Sequence, residues 1–266
     1  MAGQEYEIRN SYETAERTSD GSSSGSSRGH TTIIERVLAV RDGGWELEYD
    51  FPKETTAEDR AREWQLPARV FKPSSGPIQL LNRAELETRI DRWLKKAEWP
   101  RSVCGRWIFT WNAFRIECDP QTAIEMIEGY DLGHGELRQG AAFELPEARG
   151  AGTLVLQRAG PTGSTFSVLL KVDPEAIQRA RAESDIAVGE IMQKPVTLEA
   201  ALRERAMETV SGTISVTLET DPAGRPWRRT SVTKVDIKMA DGSIESKTST
   251  RTLEKRLVSG QSTALE

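Results

Sequence analysis

Histidine is almost missing from this sequence: there are two in 266 residues, His30 and His134, beside only two cysteines, Cys104 and Cys118. That scarcity removes the ligand sets of most zinc sites and leaves few general bases. No H-E-x-x-H or G-x-G-x-x-G pattern occurs, and no serine sits in a G-x-S-x-G elbow between a strand and a helix. Gly160-Pro161-Thr162-Gly163 lacks the lysine and the spacing of a phosphate loop. No catalytic residue, metal or cofactor is therefore assigned. Positive charge is also short, 36 Lys+Arg against 41 Asp+Glu for a net −5, so nucleic acid is not an expected partner. No stretch approaches the roughly 18 uninterrupted apolar residues of a membrane span, and none is expected.

What is present is β-rich at both ends. Tyr6 to Thr18 carries strand formers, Thr31 to Val40 is β-branched and apolar, and Trp45-Glu46-Leu47-Glu48-Tyr49 alternates after the turn Arg41-Asp42-Gly43-Gly44. Between the first two lies Ser19 to Gly29, six Ser and three Gly in eleven residues, which reads as a flexible loop. The other end repeats the pattern: Ser211 to Thr220, the turn Asp221-Pro222-Ala223-Gly224, Trp227 to Lys238, the turn Asp241-Gly242, then Glu245 to Leu257. A shift of 199 lays Thr31 on Thr230 and Asp42-Gly43 on Asp241-Gly242, which is either a weak repeat or turn chemistry used twice.

Helices fill the middle. Thr56 to Asp59 and Asn82 to Glu85 have capping-box spacing, and Leu86, Ile90, Trp93, Leu94 and Ala97 form one apolar stripe. Asp119-Pro120, Asp173-Pro174 and Thr197 start three more. A hairpin, Thr153 to Ala159 and Thr165 to Val172, turns at Gly160 to Gly163. The expected fold class is α+β: a curved, half-barrel-like antiparallel sheet built from the two terminal meanders, with helices packed on one face. Residues 4–258 read as a single domain. In strand order alone this resembles the half-barrel of lipoprotein carriers such as the LolA-like proteins, which implies a concave apolar face and assigns no residue.

Cys104 and Cys118 bracket two strand-like runs around Trp111-Asn112-Ala113. If pairing residues sum to 222, Ile108 faces Phe114, Arg106 faces Ile116 and the two cysteines stand opposite each other, at the separation a disulfide needs. The alternatives are a bridge in an oxidising compartment and two buried thiols in the cytosol. A processed N-terminus would go with a periplasmic or envelope location, an authentic one with the cytoplasm.

Five of the seven tryptophans, Trp64, Trp93, Trp99, Trp107 and Trp111, fall within 48 residues. Either Trp93, Trp107 and Trp111, with Arg115 opposite Trp107, line a groove for an apolar ligand or a partner protein, or the rings join helix to hairpin. A further alternative is an enzyme using acidic residues and His134, with Asp131 three residues before it.

Overall fold

Alternating apolar and polar residues at both ends of the chain become strands of one sheet. The computed structural model describes residues 2–109, 113–132 and 137–259. The chain begins with β1 (Glu5–Thr18), β2 (Ser24–Arg41), β3 (Gly44–Asp50), the single turn α1 (Ala57–Arg60), β4 (Ala68–Pro73) and β5 (Gln79–Leu80). Next come α2 (Arg83–Lys96), a 3-10 turn (Arg101–Val103), the small hairpin of β6 (Trp107–Phe109) and β7 (Ala113–Arg115), and α3 (Thr122–Gly129). The rest is β8 (Ala142–Phe143), β9 (Gly152–Thr153), β10 (Val155–Gly160), β11 (Gly163–Lys171), α4 (Pro174–Ile191), α5 (Leu198–Arg205), β12 (Thr209–Thr220), β13 (Pro226–Lys238) and β14 (Ile244–Ser259).

Ten strands form one antiparallel sheet in the order β10-β11-β12-β13-β14-β1-β2-β3-β4-β5. The two terminal meanders meet where β1 pairs β14, Ile8 standing opposite Lys255. The sheet does not close, so the fold is α+β with an open antiparallel sheet.

Opposed residues of an antiparallel pair share a face, which sorts the side chains. On the inner face, Ile8 meets Ile33 across β2, and Val37 meets Leu47 across β3. Helices α2 and α3 cover this wing: Leu86, Ile90, Leu94, Ala123 and Ile127 share one buried cluster with those strand residues. A second cluster lies under β11, β12 and β13, with Val168, Leu170, Ile214, Val216 and Leu218 covered by Phe143, Leu145 and Ile177. Between the clusters the same face turns polar, through Asn10, Thr31, Arg229, Ser231 and Arg251. The outer face carries an ion-pair ladder instead, in which Arg36 reaches Glu5 and Glu48 at 2.9 and 2.8 Å, and Arg228 reaches Glu219 and Glu254 at 3.2 Å each.

Several sequence expectations need correction. The Ser19 to Gly29 loop shrinks to a tight turn, because Ser24 onward is strand and pairs with β1, Arg17 opposite Ser24 and Tyr12 opposite Gly29. A continuous partner supplies the backbone hydrogen bonds that composition alone did not suggest, and Tyr12 covers Gly29, where a Cβ would stand 2.8 Å from its ring. The 199-residue repeat fails on facing: Thr31 shares the inner face with Asn10, whereas Thr230 lies on the face opposite Arg229. Only the turn chemistry recurs, with Gly43 and Gly242 at φ +82° and +89°. Asn82 does not cap α2 through its side chain: it is buried, its Oδ1 accepts from Arg69 N at 2.9 Å and its Nδ2 donates to the Pro67 carbonyl. A backbone amide of β4 takes the side-chain oxygen that would otherwise cap the helix.

Candidate functional site

The disulfide hairpin follows its expected register. Trp107 pairs with Arg115 and Ile108 with Phe114, and Cys104 is bonded to Cys118 across a Cα separation of 5.6 Å. Trp111 and Asn112, where the sequence placed the turn, lie outside the described residues, as does His134.

The tryptophans divide. Trp64 is buried and its Nε1 donates to the Glu117 carbonyl at 3.0 Å. Trp93 and Trp99 meet edge to face with centroids 5.6 Å apart, and with Phe114 and Arg115 they border an open cavity of about 680 Å³. Two of the four expected ligand residues, Trp93 and Arg115, are thus brought together; Trp107 is not among that cavity's lining residues. Arg115 is engaged by its own hairpin, Nε donating to the Gly105 carbonyl at 2.9 Å and Nη1 lying 3.3 Å from Glu117.

A larger cavity, about 940 Å³, opens on the inner face of the sheet. Its apolar walls include Tyr6, Val37, Trp45, Leu47, Leu132 and Trp227, drawn from β1, β2, β3, β13 and the segment after α3. Trp45 and Leu47 face inward through the β3 alternation, and the extra residue Leu38 in β2 sets Val40 opposite Trp45. Asp221 holds the β12–β13 turn beside the cavity, accepting from the amides of Ala223 and Arg225 at 2.9 Å each.

Charged pairs line the same space. Glu35, 5% exposed, accepts from the Tyr49 hydroxyl at 3.0 Å and from Lys255 Nζ at 2.7 Å, and that ammonium lies 4.7 Å above the Tyr6 ring. Burial, with the Glu35 carboxylate second, pushes the Tyr49 phenol well above its ordinary range, so it stays a neutral donor. Lys72, 8% exposed, donates to Asp131 at 2.8 Å. The acid that the sequence grouped with His134 therefore holds a lysine of β4. Each charge has its counter-charge, as desolvated ions require.

Sequence reasoning missed this site. Its signal was present all the same: Glu35 and Lys72 are charges on the apolar phase of alternating strands, Glu35 in register with Ile33 and Val37, Lys72 with Ala68 and Val70. Among the described residues no three of His, Cys, Asp and Glu gather closely enough to hold a metal, and no helix is long and apolar enough to cross a membrane.

No protein-family model and no curated protein matches the chain. Among the solved structures similar to it are a lipovitellin described for its lipid–protein interactions, at TM-score 0.41 and 11% identity, and Ail, the attachment invasion locus protein of Yersinia pestis, at TM-score 0.21 and 5% identity. The first alignment covers 100% of this chain and 27% of the lipovitellin chain, the second 96% of this chain and 99% of Ail. The chain thus spans about a quarter of the lipovitellin. At these scores neither likeness bears on what this chain binds.

Proposed function

We propose that this chain is a binding protein for an amphipathic small molecule, held in the cavity on the inner face of the sheet, and that it works in an oxidising compartment such as a bacterial envelope. One observation carries the reading: a cavity of about 940 Å³ with Trp45, Leu47 and Trp227 in its walls and the paired charges Glu35–Lys255 and Lys72–Asp131 at its surface. Small-molecule sites run to roughly 300–1,000 Å³ and combine apolar walls with a few placed polar groups. The Cys104–Cys118 bond supports the compartment, since structural disulfides persist where thiols are not kept reduced. The runner-up puts an apolar ligand or a partner protein on the Trp-rich cavity, favoured by the edge-to-face pair of Trp93 and Trp99.

A neutral naphthylamine probe that brightens in apolar surroundings separates the two. Trp227→Ala weakens its binding about tenfold, roughly 1.4 kcal/mol, and Trp93→Ala leaves it unchanged. Loss of binding in Trp93→Ala alone moves the site to the Trp-rich cavity, and a probe that never brightens contradicts both readings.

A further inference from the structure

The polar stretch between the two buried clusters begins where the cavity ends. Trp227 lines the cavity, and Arg229 follows it two residues along β13 on the same inner face, about 7 Å farther along the strand and next to the lining residues. Arg229 stands opposite Leu253 of β14 and Leu218 of β12, and Arg251 projects from the next inward position of β14, opposite Ser231. Arg251 is held in place, its Nε donating to Asn10 Oδ1 and its Nη2 to the Gly129 carbonyl, both at 3.0 Å. Those bonds use two of its five N–H donors. The Arg229 guanidinium has no hydrogen-bond or ion-pair partner among the described residues, and its nitrogens are not fully buried.

We infer that the cavity takes an anionic amphiphile, its carboxylate or phosphate head on Arg229 and Arg251 and its apolar chain against Trp227 and Trp45. The inference rests on the binding reading above and names the class of ligand. Charge supports it. Arg229 feels the like charge of Arg251 and two acids, Asp131 and Glu147, and Asp131 is already committed to Lys72 at 2.8 Å. Burial, with Arg251 next, disfavours the charged form of Arg229, so a bound anion would offset both effects at once. A cationic head would meet repulsion, and a neutral hydroxyl would accept a single hydrogen bond without offsetting the charge. Arginine is also the side chain whose planar fork fits two oxygens of a carboxylate or phosphate.

Calorimetric titration of the whole protein with laurate, dodecanol, dodecyltrimethylammonium and acetate tests it. Laurate binds at least tenfold more tightly than dodecanol, the ammonium amphiphile more weakly than either, and acetate at least a hundredfold more weakly than laurate. Arg229→Gln brings laurate to within twofold of dodecanol and leaves dodecanol unchanged. Should that variant lose dodecanol as well, the charge-preserving Arg229→Lys decides: a retained preference for laurate supports the inference, a lost one overturns it. Equal binding of laurate and dodecanol by the unaltered protein, a preference that survives Arg229→Gln, or acetate binding as tightly as laurate overturns the anionic amphiphile while leaving a binding cavity. Failure of every amphiphile to bind overturns the cavity reading itself.

Discussion

Removing the Glu35 carboxylate strands two partners at once. The Glu35 and Lys255 side chains are 7% and 28% exposed and lie 2.7 Å apart, and the Tyr49 hydroxyl donates to the same carboxylate at 3.0 Å. Breaking a fully buried pair costs about 3–5 kcal/mol, whereas exposed pairs are worth about 0.2–1 kcal/mol. With one partner enclosed and the other reaching solvent, Glu35→Gln is expected to cost about 2 kcal/mol. Lys255→Met, which leaves the more buried charge unpaired, costs about 3 kcal/mol on the same scale. The double variant has neither charge to desolvate, so the two losses do not add, and the coupling is about 2 kcal/mol. Urea unfolding of the four proteins, extrapolated linearly to water, measures it. Additivity to within about 0.5 kcal/mol would show that the pair does not act as a unit and would refute the reasoning.

Three further outcomes are expected. Replacing Cys104 and Cys118 by serine opens a loop with a sequence separation of 14 and costs about 3 kcal/mol in the chain-entropy model, and the unreduced protein shows no alkylatable thiol by intact mass. Tyr49 resists ionisation: followed in absorbance, its phenolate forms only well above the ordinary phenol range. Because its phenol is raised above the unfolded value of 10.0, the associated stability is fully present below that pH and is lost as pH climbs through the folded value; Tyr49 titrating near 10.0 contradicts this. Gly163→Ala is expected to cost about 3 kcal/mol or more, since Gly163 has φ +123° and a Cβ there would stand 1.9 Å from the Thr220 carbonyl oxygen; an unchanged urea midpoint would mean that the β11–β12 contact yields freely.

What could be read from the sequence was local. The Cys104–Cys118 hairpin needs only a turn and a register within fifteen residues, and the α2 stripe Leu86, Ile90 and Leu94 only a helical period, so both were legible. The pairing of β1 with β14 was not, because Ser/Thr-rich strands with charges on both phases carry little to choose one partner over another. The cavity depends on that pairing: it brings Tyr6, Glu35 and Trp45 beside Trp227 and Lys255, about two hundred residues away in the chain. The density of tryptophan between Trp64 and Trp111 drew attention to the smaller cavity, where Trp64 serves as core and Arg115 is engaged by its own backbone. Composition counts rings and does not say which face of a distant strand they meet.

Photo-crosslinking tests the central claim most directly. A laurate analogue with a diazirine midway along its chain, irradiated with the whole protein and mapped by peptide mass spectrometry, is expected to label residues 35–47 and 222–229 and to be displaced by excess unlabelled laurate. Label confined to residues 58–65 and 93–117, around Trp93 and Trp99, or label that laurate does not displace, would contradict a binding site on the inner face of the sheet.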